Sequence, residues 1–168
     1  VFVKPNNGGS SIATTKVAVK EALHAAIDLA LTVDPEVIIE SFLQGTEVSC
    51  GVIEWEGKVT ALPVTEIVSH TDFFDYQAKY EGKSEEITPA RISDEMTRYV
   101  QKISCELYTL TNCKGMMRTD FIIQRDQPYI IEINTVPGFS PASIIPQQAA
   151  ARGIDKTQLI SAILDSVL

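Results

Sequence analysis

The chain opens on an apolar run, Val1-Phe2-Val3, that has the character of a strand end. It passes into Lys4-Pro5 and then a soft polar stretch from Asn6 to Ser11, with glycines at 8 and 9. After a short extended piece at Thr15-Lys16-Val17, apolar residues recur as Val19, Ala22, Leu23, Ala26, Ile27 and Ala30. That spacing is the single stripe of an amphipathic helix, with Lys20, His24 and Asp28 on the solvated face. Asp34-Pro35 ends the helix. Glu36 to Leu43 then predicts a buried strand leading into a turn at Gln44-Gly45.

From Glu47 onward the pattern becomes that of strands, with Glu56-Gly57 marking a hairpin and Trp55 packing beside its turn. Residues 66–85 show no clean period, which predicts a long irregular loop of the kind that is functional or mobile. His70 falls in it and is assigned to the surface. A second helix follows over residues 93–112, with Met96, Val100, Ile103, Leu107 and Leu110 on one face. Ser93 is its N-cap, and Asp94 and Glu95 suit the positive end of its dipole. Two further strands, 115–124 and 127–134, meet at a turn at Arg125-Asp126. A last helix starts near Lys156, where Asp155 caps, Gln158 completes a capping box and Ile154 staples to Leu159. The pattern is that of an α+β protein.

Composition narrows the classes of partner. The chain has 168 residues, a net charge of −8 and no cluster of basic residues. Nucleic acid and anionic membrane are therefore not expected partners. No apolar run approaches the ~18 residues of a membrane-spanning helix. Cys50, Cys105 and Cys113 match no zinc spacing and predict buried, reduced thiols in a cytoplasmic protein. The chain begins inside an apolar strand with no initiator methionine, so a longer parent protein, with an N-terminal part absent here, is expected.

The chemistry concentrates in the second hairpin. Arg118 and Asp120 are two apart, as are Glu132 and Asn134, so each pair shares one face of its strand. Folding the strands together gathers two carboxylates, a carboxamide and a guanidinium. These hard oxygen donors suit Mg²⁺ ions holding a nucleotide; a solvated strand face with a salt bridge fits the same spacing. The opening loop adds a second element. Gly8 and Gly9 let backbone amides approach an anion, with Lys4 on the strand before them. The order is not that of a Walker A loop, whose lysine follows its glycines. An ordinary surface turn is the competing reading. A third element is Glu40 to Glu47, a strand end and connector able to face a flat base, with Glu47 placed for ribose hydroxyls.

Taken in order, these segments resemble the ATP-grasp region of the D-alanine–D-alanine ligases. The succession is VKPNNGGSS, ExFLxGxE, DYxAKY, KGxxRxD and EINTxPGFS, and it covers essentially the whole chain. The resemblance implies an ATP-grasp fold, with mostly antiparallel sheets flanked by helices. Residues 1–44 would be the remnant of the central subdomain and 45–168 the C-terminal subdomain, with a lid at about 66–85. It implies ATP-dependent joining of two D-alanines through an acyl phosphate, for peptidoglycan precursors. Lys4 and Lys79 would contact the phosphates, with Gly8, Gly9, Ser10 and Ser11 closing over them. Glu40, Phe42 and Leu43 would hold adenine and Glu47 the ribose. Asp120, Glu132 and Asn134 would bind two Mg²⁺, with Mn²⁺ a substitute. Arg118 and the Gly138 amide would stabilise the oxyanion, Ser143 would hold the second carboxylate, and Tyr80 would bond Ser10.

Met116-Met117 stands where the family more often has a Trp-Gly-like pair. Tyr80 goes with the plain dipeptide; a D-lactate or D-serine ligase, another carboxylate–amine ligase, and a non-catalytic nucleotide module are the alternatives. The parent enzyme would be a homodimer, and this piece alone would be inactive.

Overall fold

Tight two-residue turns set the registers of the larger sheet. Glu56 and Gly57 have φ of 51° and 73°, and Arg125 and Asp126 have φ of 52° and 61°. Two successive left-handed residues twist a two-residue loop in the same sense as its flanking strands. Both hairpins therefore close where the sequence predicts them. The computed structural model describes residues 1–9, 11–69 and 84–168, which fall into two compact units, one built on Val1–Gln44 and the other on Gly45–Val68 with Glu86–Leu168.

In the first unit, strand β1 (Phe2–Pro5) lies between β2 (Thr15–Lys16) and β3 (Val37–Glu40), antiparallel to both. Helix α1 (Leu23–Leu31) covers one face of this sheet, burying Ala26 and Ala30 against Val3 and Val17. The predicted helix starts too early: residues Lys20–Ala22 form a 3₁₀ turn, and Val19 is exposed. Neither Val19 nor Ala22 belongs to the buried stripe, because the tighter turn takes them off the 3.6-residue period. β3 is also less buried than predicted. Ile39 is 50% exposed, since this small sheet has a helix on only one face among the described residues.

The second unit carries a larger antiparallel sheet. Its strands are β4 (Thr46–Trp55), β5 (Lys58–Ala61), β6 (Thr65–Ser69), β7 (Ser84–Ile87), β8 (Met116–Gln124) and β9 (Gln127–Asn134). The order is β7-β6-β4-β8-β9, with β5 also paired to β4. The stretch predicted as irregular loop thus contributes strand at both ends. Thr65 to Ile67 pair with β4 and are buried, a pattern that the polar residues beyond them obscure. Helix α2 (Asp94–Leu110) packs on this sheet through Met96, Val100, Ser104 and Tyr108. Met96 and Val100 join Val48, Cys50, Val64 and Phe121 in one core cluster.

The predicted stripe on α2 drifts at its end. Leu110 is 80% exposed, and Ser104 and Tyr108 take the inner positions. Ser104 is acceptable there because its hydroxyl donates to the Val100 carbonyl at 2.9 Å. The Ser93 cap is present, its Oγ accepting from Met96 N at 3.1 Å.

Helices α3 (Ile144–Ala151) and α4 (Lys156–Asp165) bury Ile145, Ala149 and Leu159 with Ile53, Leu62 and Ile154, and Trp55 packs against that cluster. The capping box of Asp155 and Gln158 is formed. Cys50 is buried and its thiol is pushed up to about 12 by burial, so it stays protonated; Cys105 and Cys113 are half-buried, and none of the three is disulfide-bonded. No helix among the described residues is long and apolar enough to cross a membrane.

One buried side chain ties α3 to the sheet. β4 pairs with β6 up to Ser49 and with β5 from Val52, and between them Leu62 N donates to Gly51 O at 2.8 Å, which leaves a gap beside Ser49 O and Gly51 N. Gln148, wholly buried, fills the gap. Its Oε1 accepts from Gly51 N at 2.9 Å, and its Nε2 donates to Ser49 O at 2.9 Å and Thr65 Oγ1 at 3.0 Å. A Cβ at Gly51 would lie 2.5 Å from that Oε1, so the close approach requires glycine.

Glu66 is a second polar anchor. Its carboxylate takes Arg91 Nε at 2.8 Å and Nη2 at 2.9 Å, a bidentate pair, which holds its pKa below the ordinary carboxylate value. The Arg91 side chain is 63% exposed, so screening limits this pair to about 1 kcal/mol.

Gln148→Leu keeps the volume and orphans two buried backbone groups, so a loss of at least about 2 kcal/mol in urea unfolding is expected; a loss under about 0.5 kcal/mol would mean the strand finds other partners. For Glu66, a depressed folded pKa means that its stabilisation is present above the unfolded value of about 4.5 and is lost as pH falls through the lower folded value. Wild type should therefore exceed Glu66→Gln in stability at pH 6.5, and the gap should close on acidification below about pH 4.5. Denaturation curves of the two proteins across that range check the sign.

Candidate functional site

The hairpin of β8 and β9 delivers the gathering that its spacing predicts. Asp120 stands opposite Glu132, and Arg118 opposite Asn134. A bulge between Asp120 and Phe121 places Ile130, not Ile131, opposite Phe121. The strand's charged end and its turn end thus keep separate registers.

Within this face the charges are already paired. Arg118 donates from Nε to Asp120 Oδ1 at 2.8 Å and from Nη2 to Oδ2 at 2.6 Å. Glu132 Oε1 lies 3.7 Å from the same Nη2. Arg118 Nη1 has no partner among the described residues. Ser49 Oγ donates to Asp120 Oδ1 at 2.6 Å from the neighbouring strand. Burial opposes the Arg118 charge, but the Asp120 hydrogen bonds, with the charges of Asp120, Glu132 and Glu86, raise its pKa above the ordinary value. It remains a cation. The side chains of Arg118 and Asp120 are 18% and 12% exposed, whereas Glu132 is 55% exposed and faces solvent.

Two carboxylates opposite each other with a carboxamide on the same face form a donor set of hard oxygens, and this fits Mg²⁺. Asn134 Oδ1 accepts from Val136 N at 3.1 Å, which fixes its rotamer. Among the described residues no group of three or more His, Cys, Asp or Glu is placed to hold a metal. The amide oxygen of Asn134 is accordingly the third donor this face offers.

The turn after β9 holds another predicted pair. Ser143 is the N-cap of α3, and its Oγ accepts from Ser140 N at 3.0 Å instead of capping the helix. A Cβ on Gly138 would lie 2.9 Å from that Oγ, so a larger residue there would push Ser143 Oγ from this position. Glu47 is half-buried on β4, opposite Ile122 of β8.

In the first unit Lys4 Nζ is 2.8 Å from Glu40 Oε2 on β3. Phe42 is exposed, with its ring 5.8 Å from that of Phe2 and the Lys16 ammonium 4.4 Å above it. Leu43 is half-buried. The loop after β1 is rooted by Asn6 N to Glu36 O at 2.9 Å and Asn7 N to Asp34 Oδ2 at 3.3 Å. The Glu36 amide, then Asn7, lower the Asp34 pKa. Left-handed φ occurs at Ser11 (58°) and Ala13 (54°), not at the glycines. A Cβ at Gly9 would meet nothing and one at Gly8 only Pro5 at 3.5 Å, so the chain's own packing demands neither glycine. Ser10, His70, Lys79 and Tyr80 lie outside the described residues.

Sequence reasoning missed several members. Ser49, Glu86, Gln147 and Gln148 act through partners 61 to 99 residues away, and no local spacing signals them. Lys16 and Phe2 were legible only as strand residues. A separate cleft of about 600 Å³, lined by Glu54, Trp55, Gln158 and Asp165 among others, contains none of the predicted site residues.

Comparison with known proteins places the chain in a family. Residues 1–165 match the family model described as D-ala D-ala ligase C-terminus. A D-alanine--D-alanine ligase of Flavobacterium johnsoniae is 54% identical over 160 residues, covering 95% of this chain and 50% of the relative. One from Porphyromonas gingivalis is 51% identical, covering 98% and 50%. The chain thus spans about half the length of the curated relatives it matches. Among solved structures, the VanG D-Ala:D-Ser ligase of Enterococcus faecalis superposes with a TM-score of 0.86 at 33% identity, covering 99% of this chain and 49% of that one. A D-alanine--D-alanine ligase of Bacillus anthracis complexed with ATP gives 0.81 at 30%, covering 98% and 51%. The expected α+β ATP-grasp fold is shared with these structures.

Ser49→Ala removes the neighbouring-strand donor to Asp120. The expected cost is about 1.5–3 kcal/mol, the usual worth of a hydrogen bond to a charged group, read as a shift of the urea midpoint at constant slope.

Proposed function

The chain belongs to the D-Ala–D-Ala ligase C-terminal family, and on that premise we propose that the protein carrying it joins two D-alanines to D-alanyl-D-alanine at the expense of ATP, in the cytoplasmic supply of peptidoglycan precursors. The observation that carries this reading is the β8–β9 face, where Arg118, Asp120, Glu132 and Asn134 share one register.

The reaction runs in two steps. A carboxylate oxygen of the first D-alanine attacks the γ-phosphorus of ATP, breaking its bond to ADP and forming an acyl phosphate. The amine of the second D-alanine then attacks the acyl carbon, phosphate leaves, and the nitrogen gives up a proton. In the first unit, Lys4 exchanges Glu40 for phosphate oxygens, and the amides of the Gly8–Ser11 loop approach the same charge. Phe42, with Lys16 and Phe2 beside it, offers an aromatic face to adenine, with Glu40 and Leu43 alongside. In the second unit, Glu47 takes the ribose. Asp120, Glu132 and Asn134 hold Mg²⁺, which when bound neutralises phosphate charge as a Lewis acid. Mn²⁺ meets the same donor preferences.

Arg118 suits oxyanion stabilisation because Asp120 fixes its plane from Nε and Nη2 while Nη1 stays unpaired among the described residues. The Gly138 amide is the proposed second donor, and Ser143 binds the second carboxylate. Lys79 and the Tyr80–Ser10 pair are proposed from the family pattern to close over the nucleotide. Residues 1–44 are assigned to the central ATP-grasp subdomain and 45–168 to the C-terminal one. The parent enzyme is proposed to be a homodimer.

The test is ADP release by the full-length protein with Mg²⁺ and D-alanine, with D-lactate and D-serine as rival second substrates. Release with D-alanine alone supports the dipeptide ligase. A requirement for D-serine or D-lactate would keep the chemistry and change the product. Absence of release from a protein that binds Mg·ATP would leave a non-catalytic nucleotide module. Asp120→Asn and Glu132→Gln are each expected to lower turnover by ~10²-fold or more with folding retained, read by steady-state ADP release beside thermal unfolding.

A further inference from the structure

We propose that Gln147, braced by Glu86, is a positioning residue that sets Ser143 against Arg118, and so fixes where the carboxylate of the second D-alanine sits relative to the carbonyl under attack. The proposal rests on the ligase reading above and deepens it.

Gln147 lies in the first turn of α3, with its own N–H donating to Ser143 O at 3.2 Å. Its Nε2 donates in two directions, to Glu86 Oε2 at 3.0 Å and to the Ala142 carbonyl at 2.8 Å. The Ala142 carbonyl belongs to the same peptide plane as the Ser143 N–H, which donates to Ser140 O at 2.9 Å. Both ends of the peptide before Ser143 are therefore held, and with them the direction in which Ser143 Oγ leaves the backbone. That oxygen is further located by Ser140 N at 3.0 Å and by the space that Gly138 leaves.

Glu86 gives the brace its other end. It stands on β7 and is half-buried. It also acts electrostatically on Arg118, beside Asp120 and Glu132. A run of hydrogen bonds thus leads from Ser143 through the Ala142 peptide and Gln147 to Glu86, whose charge acts on Arg118 through space. A substrate amino acid is rigid over the few bonds between its carboxylate and its nucleophilic amine. The distance between the group holding the first and the group stabilising the attacked carbonyl therefore decides whether the amine arrives in line. The neighbouring Gln148 serves a different end, binding α3 to β4 from within the core. Gln147 can consequently be altered without opening the gap in β4.

The experiment uses the full-length protein and measures KM separately for ATP, the first D-alanine and the second, with kcat and thermal midpoints. Gln147→Leu and Glu86→Leu are each expected to raise the second-substrate KM about tenfold, the scale of one lost charge-assisted hydrogen bond. The KM values for ATP and the first D-alanine should stay within about twofold. The double variant should be no worse than either single one, because the two side chains form one link. Glu86→Gln, which keeps an acceptor for Gln147, should restore the second-substrate KM relative to Glu86→Leu. If Gln147→Leu does not fold, the two Glu86 variants give the same contrast. An unchanged second-substrate KM, additive effects in the double variant, or all three KM values rising together with a fallen midpoint would each overturn the link while the ligase stands. Wild-type protein that releases no ADP in response to D-alanine would overturn both.

Discussion

Asp120 is the residue whose constraints the rest of the second unit serves. Its carboxylate is nearly buried and takes hydrogen bonds from two strands, Ser49 on β4 and Arg118 on its own. A carboxylate removed from water in this way is stable only with its donors in place. The registers of β4 with β8 and of β8 with β9 are consequently not free to slip. A shift of one residue would take Ser49 away from Asp120 and turn Glu132 to the other face. Phe121, the neighbour of Asp120 on the opposite face, is wholly buried under α2 and enforces the same register from the apolar side. The charged face and the core are two views of one alignment.

Helix α3 is held to that alignment at two depths. Gln148 reaches inward to Ser49 O and Gly51 N, between the β5 and β6 pairings of β4, and Gln147 reaches sideways to Glu86. Adjacent residues on a helix point about 100° apart, so a pair of glutamines can address the core and the site rim at once. This is a compact way to place the helix N-terminus carrying Ser143 against the strands carrying Arg118.

Much of this was legible in the sequence, for local reasons. The turns at Glu56-Gly57 and Arg125-Asp126, the Ser93 cap and the Asp155–Gln158 box each depend on residues within four positions of one another. The pairs Arg118/Asp120 and Glu132/Asn134 needed only the two-residue period of a strand. What was hidden depends on distance along the chain. Ser49, Glu86 and Gln148 are polar residues in strands and helices, and only the fold shows which partner each meets. The strand character of Glu66 to Val68 was masked because a charged residue in a buried strand breaks the alternation, and its partner Arg91 lies 25 residues on. The start of α1 and the end of α2 failed for a smaller reason. A 3₁₀ turn before α1, and an inner stripe on α2 that runs through Ser104 and Tyr108, shift the apolar face, so Val19 and Leu110 fall outside it.

The bulge in β9 separates two demands that one strand would otherwise have to satisfy together. Between Gln127 and Ile130 the register is dictated by a two-residue turn; between Glu132 and Asn134 it is dictated by Asp120 and Arg118. Ile131 takes up the difference. It works as an expansion joint: the turn end can lengthen, shorten or change its twist over generations while the carboxylates at the other end keep their address. Relatives of this chain can therefore diverge at the hairpin tip without disturbing the face on which the chemistry is proposed to occur.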